Sequence, residues 1–562
     1  MKCLRVNYLS TLIRSIPMNR YLLVLAAFVF ASPAFTWGGD LLSPEAADRL
    51  GMVESWHRQT GTVGGASSIV DMQIWVEHTK EREYIEVVRA VTVGKQVTDA
   101  DVLRRIATDS KNEYGVELGA KEANRLANLD VLKLKRRGIE AVARSNKVKQ
   151  VRLYMLGSDG GLWAYDAETG EVLWYVRLGK PKLGYGTLGI SDQYVTVING
   201  TTMYRVIADE RAAENSVMPA GRPIAPVRLD NIPLIGAVNT SDYVIIPNTR
   251  NGLECYNYED EPGQPALEIF HGQALAKPSR FPTSSLIGWA TDQGKMYVME
   301  TEGKPTTLFR LQIDGNADGG VAAASDGRFF LGSTAGRVYG VKATRSGEVL
   351  WNRSFGEPFY QAPFVTGDSV LIASSYGNLY SLGQTDGLPK WASPVPNIDS
   401  IFAQAGPYYF GRTTAGLLTI LSPESGQTIS TGGSVFVDRI VSNPETDRIY
   451  LVSGGGTVQC LRPAGAEMPT FYRDLAAPTA AAGSKEKMKP AEKPASNPFG
   501  VAEDSEMAEP AGAADPFGAA PGADPFGADA AADPGADPFG AGAGGDAGEM
   551  ADPFGASDPF GN

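Results

Sequence analysis

The residues best suited to chemistry are few and scattered. Three histidines (His57, His78 and His271) and three cysteines (Cys3, Cys255 and Cys460) are spread over 562 residues. A metal site needs imidazoles, thiolates or carboxylates at short fixed spacings, and no such spacing joins these residues. Serine, aspartate and glutamate crowd turn-like segments, where residue type alone nominates no nucleophile, base and orienting carboxylate. The expectation is a chain with no catalytic residue, no metal and no cofactor.

One stretch has defined polar chemistry. Ala164 to Trp174 reads AYDAETGEVLW. In Asp166-x-x-Thr169-Gly170 the carboxylate and hydroxyl oxygens can accept backbone N–H bonds while glycine supplies a positive φ, which makes a turn. Trp174 on the strand that follows would cover a neighbouring unit. Burying such a ring removes about 150–250 Å² from water, on the order of 4–6 kcal/mol as an upper bound. The stretch reads as a structural latch rather than a redox site.

The elements that must position this latch repeat along the chain. GGLWAY, TTMYRV, NGLECY, GKMYVM, GRVYGV, GNLYSL, GLLTIL and GTVQCL start at Gly160, Thr201, Asn251, Gly294, Gly336, Gly377, Gly416 and Gly456. The third position is always apolar, and so is the sixth if tyrosine is included. These two positions lie on opposite faces of a strand, so each strand is apolar on both sides and belongs between two sheets. The fourth position is aromatic in Trp163, Tyr204, Tyr297, Tyr339 and Tyr380, which reads as packing at one recurring place. A period near 40 with glycine-rich turns predicts β-propeller blades of about four strands, with a parallel solenoid as the structural rival. Cys255 and Cys460 occupy the same motif position three steps apart, too far for the Cα separation of about 7 Å that a disulfide allows, so both are expected as buried free thiols.

The spacing Ala164, Asp166, Thr169, Gly170, Trp174 resembles the tryptophan-docking signature of the pyrroloquinoline-quinone (PQQ-like) repeat family, A-x-D-x-x-T-G-x-x-x-W. Looser copies keep Gly347 and Trp351, and Gly387 and Trp391, while a further one keeps only Ser425-Gly426. The resemblance covers roughly residues 150 to 465 and implies an all-β, eight-bladed propeller of the quinoprotein type. Catalytic members hold the quinone with calcium, a carboxylate base and a vicinal cysteine pair, and no two cysteines are adjacent here. Non-catalytic members include scaffolds of the BamB type, exported discs that present loops to a barrel-assembly partner at the outer membrane. This chain departs from them in having no lipidation cysteine after its apolar leader, an inserted segment, and an acidic tail.

The remaining segments complete the expected organisation. Residues 1–36 read as an export signal, with Tyr21 to Ala31 as its apolar run and Met18 as an alternative start. Residues 40–476 are assigned to the propeller. Within it, Trp56 in residues 54–61 looks like an orphan docking strand that completes the last blade and closes an eight-bladed ring. Ile69 to Val91 reads as one or two strands, and residues 98–147 as a basic, partly helical insertion with helices over Asp99 to Thr108 and Lys121 to Arg137. Lys133 to Lys149 carries seven basic residues, a solvated face or an anionic-surface contact.

Residues 477–562 form an acidic Ala/Gly/Pro-rich segment whose composition cannot bury a core. Phe499, Phe517, Phe526, Phe539, Phe554 and Phe560 each stand in an Asn-Pro-Phe-Gly or Asp-Pro-Phe-Gly motif, multivalent stickers that gain avidity together. Residues 494–562 hold 13 acidic and no basic residues, all of the net charge of −13, which argues against nucleic acid as partner. The reading is an exported, non-enzymatic scaffold for protein partners in the periplasm or cell envelope, outer-membrane associated or secreted. Nothing signals a homo-oligomer. The alternatives are a quinone-dependent dehydrogenase relative, and a ligand of trafficking adaptors through the Asp-Pro-Phe motifs.

Overall fold

A computed structural model describes residues 41–473 apart from 63, 91–98, 111–115, 214–215 and 259–262, with the side chains of 211–216 and 432–434 also left aside. The leader and the tail, with its six phenylalanine motifs, lie outside the described residues. The described chain is almost all β. Eight antiparallel sheets of three to five strands, and one two-stranded hairpin, are formed among the described residues. The helices are α1 (Pro44–Arg49), capped by the Ser43 hydroxyl, and α2 (Gly119–Arg136).

The repeat motif explains these sheets. Tyr194–Asn199 is buried at every position, and Gly161–Asp166 and Gly252–Asn257 are buried at all but their last. Such strands need apolar cover on both faces, and each sheet receives it from the next. Sheets built around Tyr194–Asn199 and Tyr243–Asn248 share Ile198, Met203, Val244, Ile246 and Tyr256. The following pair shares Ile245, Leu253, Cys255, Ile287, Trp289 and Tyr297. Similar clusters continue along the chain and end where Phe402, Phe410 and Ile420 meet Ile449, Leu451 and Leu461.

The last repeat is completed from the other end of the chain. Strand β1 (Met52–Gln59) lies antiparallel beside Thr457–Pro463, with Met52 opposite Pro463 and Gln59 opposite Thr457. The described fold is an all-β propeller, with sheet packed on sheet and the final sheet drawing its outer strand from residues that precede all the others.

The inserted segment is an outgrowth of the next sheet. Strands β2 (Ile69–Arg89), β3 (Val102–Ala107), β4 (Ala141–Gly157), β5 (Gly161–Asp166) and β6 (Val172–Arg177) form one sheet in the order β3-β2-β4-β5-β6. β2 and β4 pair from Ile69 opposite Gly157 to Arg89 opposite Ala141, with a break in register between Val76 and Glu81. Beyond that break they carry β3 and α2, whose small core is Ile85, Val87, Ile106, Ala123 and Ala127. The helix expected over Asp99 to Thr108 is thus corrected. Asp99–Asp101 is a single turn and Val102–Ala107 a strand, because the open edge of β2 offers a ladder and the β-branched Val102 and Ile106 suit it. The expected helix over Lys121 to Arg137 matches α2.

Candidate interaction sites

Asp166 Oδ1 accepts the backbone N–H of Glu168 at 2.9 Å and of Thr169 at 3.1 Å, and Thr169 Oγ1 accepts that of Glu171 at 3.3 Å. The turn then receives an aromatic side chain from the preceding sheet. Trp56 Nε1 donates to Ala167 O at 2.9 Å, and a Cβ at Gly170, where φ is +70°, would lie 2.6 Å from the Trp56 ring.

The same arrangement recurs at other junctions. Trp174 donates to Ala208 O at 3.1 Å, Trp351 to Gln384 O at 3.0 Å and Trp391 to Pro423 O at 2.9 Å. Gly221, Gly387 and Gly426 lie under these three rings, and Gly347 lies under Phe309. Each tryptophan therefore stitches two sheets by ring burial and by one N–H···O bond across the seam, whereas Phe309 contributes ring burial alone. The motif's glycine and tryptophan act in different seams: Gly347 lies in the seam before its own strand and Trp351 in the one after.

The seam closed by β1 carries additional ties. Ser55 Oγ donates to Glu168 O at 3.1 Å and Tyr450 OH to Ala167 O at 3.2 Å. Arg448, with its side chain fully buried, reaches Glu168 Oε2 and Asp447 Oδ1, each at 2.8 Å, and Glu467 O at 3.0 Å. Burial pushes the Glu168 carboxyl up despite Arg448, whose charge Asp447 shares. Next to this clasp lies an open cleft of about 780 Å³ between β1 and the sheet of β5 and β6. Its walls include Trp163, Tyr165 and Val172, and its rim includes His57, Arg58 and Gln59.

Trp56, Ala164, Asp166, Thr169, Gly170 and Trp174 thus gather at two neighbouring seams, while Gly347, Trp351, Gly387 and Trp391 serve seams further on. Two of the five fourth-position aromatics, Tyr297 and Tyr339, have a task that spacing does not reveal. Tyr297 OH accepts the N–H of His271 and Tyr339 OH that of Asp314, so each ring also caps a loop. Cys255 and Cys460 are buried free thiols, and burial pushes Cys255 up to about 12. His57 is exposed beside Glu54, and His78 is held by Asp192. The basic run is partly neutralised within the outgrowth. Lys133 pairs with Asp130 at 3.0 Å, and Arg144 with Glu86 at 2.7 Å, while Lys135, Arg136 and Arg137 are exposed.

Comparison with known proteins places this architecture. Residues 289–467 match the family described as outer membrane protein assembly factor BamB. A curated relative of that name from Shewanella oneidensis is 24% identical over 227 residues, 36% of this chain and 53% of the relative. The chain thus spans about half the length of the curated relative it matches. Among solved structures, BamB from Moraxella catarrhalis aligns with a TM-score of 0.42 at 14% identity, over 55% of this chain and 93% of that one. Sqt1 from Chaetomium thermophilum, solved with the N-terminus of ribosomal protein L10, aligns with a TM-score of 0.40 at 12% identity, over 55% and 93%. In its repeats and sheets, and over residues 289–467 in its sequence, the chain is similar to the PQQ-like β-propellers of the BamB type.

Proposed function

We propose that this protein is a non-enzymatic, exported propeller scaffold that binds protein partners in the cell envelope, in the service of outer-membrane assembly. The observation that carries the reading is the family match over residues 289–467. The stitched seams support it, because a disc whose sheets are sutured by Trp56, Trp174, Trp351 and Trp391 presents its loops with little entropy to lose on binding. The cleft beside β1 offers Trp163 and Tyr165 together with Arg58, residue types among which interface anchors concentrate. In this reading residues 494–562 act as a multivalent tether to partners through Phe499, Phe517, Phe526, Phe539, Phe554 and Phe560.

Cross-linked capture from intact cells tests the proposal, with the tag inserted just before the tail. The expected catch is outer-membrane assembly proteins, reduced by Val172→Asp in the cleft wall. Capture of cytosolic adaptor proteins alone would remove the export reading. Quinone- and calcium-dependent dye reduction by the purified protein would remove the non-enzymatic one.

A further inference from the structure

The middle of the propeller carries charge that its own carboxylates do not balance. Lys277 Nζ donates to Leu188 O, reaching past the sheet of Val238–Ile269 that lies between them in the chain, so the innermost segments converge here. Arg439 donates to Ile69 O at 2.6 Å and to Val70 O. The Arg280 guanidinium lies 5.4 Å from the centre of the Trp75 ring and makes no hydrogen bond or ion pair among the described residues.

The carboxylates nearby are committed to other donors. Asp71 accepts the N–H groups of Met72 at 2.9 Å and Leu188 at 2.8 Å, and the side-chain amide of Gln73. Asp192 accepts Trp75 Nε1 at 2.7 Å, the His78 N–H at 3.2 Å and His78 Nδ1 at 3.0 Å. Glu445 is taken by Arg473 at 2.8 Å. Burial draws Lys277, Arg280 and Arg439 down, whereas the carboxylate-paired Arg105, Arg152 and Arg448 are raised. Lys277, Arg280 and Arg439 are each half-buried, so their charges are only partly solvated, and a counter-anion relieves the remaining cost.

We propose that the centre of the propeller is a binding site for a small oxyanion of phosphate size, held by the guanidinium fork of Arg280 and the ammonium of Lys277. The Trp75 ring covers one side of the guanidinium, so the ligand approaches from another. Lys277 supplies a second charge from the segment that leads into the strand Ser279–Arg280. A planar guanidinium suits the paired oxygens of a phosphate or carboxylate, and an ammonium acts beside it as a point charge.

Inorganic phosphate is the probe, titrated into the full chain and followed by 31P line broadening, with chloride at matched ionic strength as the blank. Saturable binding is expected in the wild type, lost in Arg280→Met and weakened by at least about tenfold in Lys277→Met. Lys390→Met, which removes a surface pair with Asp368, should bind as the wild type does. If Arg280→Met folds poorly, Arg280→Lys keeps the charge, loses the fork and should still bind more weakly. Broadening that chloride reproduces, or full phosphate binding in both Arg280 variants, would overturn the site.

Discussion

At the scale of single residues, glycine and tryptophan form one device divided between neighbouring sheets. A methyl at Gly387 would strike the Trp351 ring, and φ there is +66°, so Gly387→Ala meets both a clash and backbone strain. Trp351→Ala leaves a cavity in the same place and an unpaired carbonyl at Gln384. Each change is expected to cost about 2–5 kcal/mol, read as a lowered denaturation midpoint. Because both act on one contact, the double variant should cost clearly less than the sum.

Glu77 makes a second prediction at this scale. Its carboxyl is 1% exposed and burial pushes it up to about 7, outweighing Arg152 at 3.3 Å. Arg152 is raised all the same, because Tyr154, Glu77 and Asp209 around it outweigh its burial. A carboxyl whose pKa is higher folded than unfolded favours folding when protonated. Its contribution is full below the ordinary value of 4.5 and is lost as pH rises through about 7. Folding stability should therefore fall between about pH 5 and pH 8 by on the order of 2–3 kcal/mol, read as a falling melting temperature, and Glu77→Gln should flatten that slope.

At the scale of elements, what could be read from the chain depended on how local its cause was. The repeat strands were legible because burial on both faces forces apolar third and sixth positions, as in Leu162 and Tyr165. Helix α2 was legible from its helix formers and lack of breakers. Strand β3 was not, since its state depends on the open edge of β2, and Val102–Ala107 alone permits a helix. The positions of Lys277 and Arg439 near Asp71 were invisible for the same reason, as segments so far apart in the chain come near one another only through the fold. The outgrowth has its own core, so disrupting it should spare the sheets. Ala127→Asp, at a buried position under α2, is expected to abolish amide protection in α2 and β3 while protection in Tyr243–Asn248 persists. Equal loss in both regions would mean that the outgrowth and the sheets unfold as one.

At the scale of the whole molecule, the described fold depends on joining its first strand to its last repeat. Thr457–Pro463 has Ile449–Val452 on one side and only β1 on the other. Removing residues 41–61 would expose that strand's N–H and C=O groups, uncover Gly170 where Trp56 had packed, and release Gln459 from Leu42 and Glu54. An open, apolar strand edge pairs with whatever strand it meets, and the nearest supply is another copy of the same chain. The truncated protein should therefore melt several degrees lower than the full chain and elute with larger species in light-scattering chromatography. A synthetic peptide of residues 41–61 should reverse both effects, whereas its Trp56→Ala version should not. The distinction matters because Trp56 contributes both ring burial and a bond to Ala167, while the backbone of β1 contributes only the ladder. Rescue by both peptides would place the closure in the ladder alone, and rescue by the first only would place it in the tryptophan stitch.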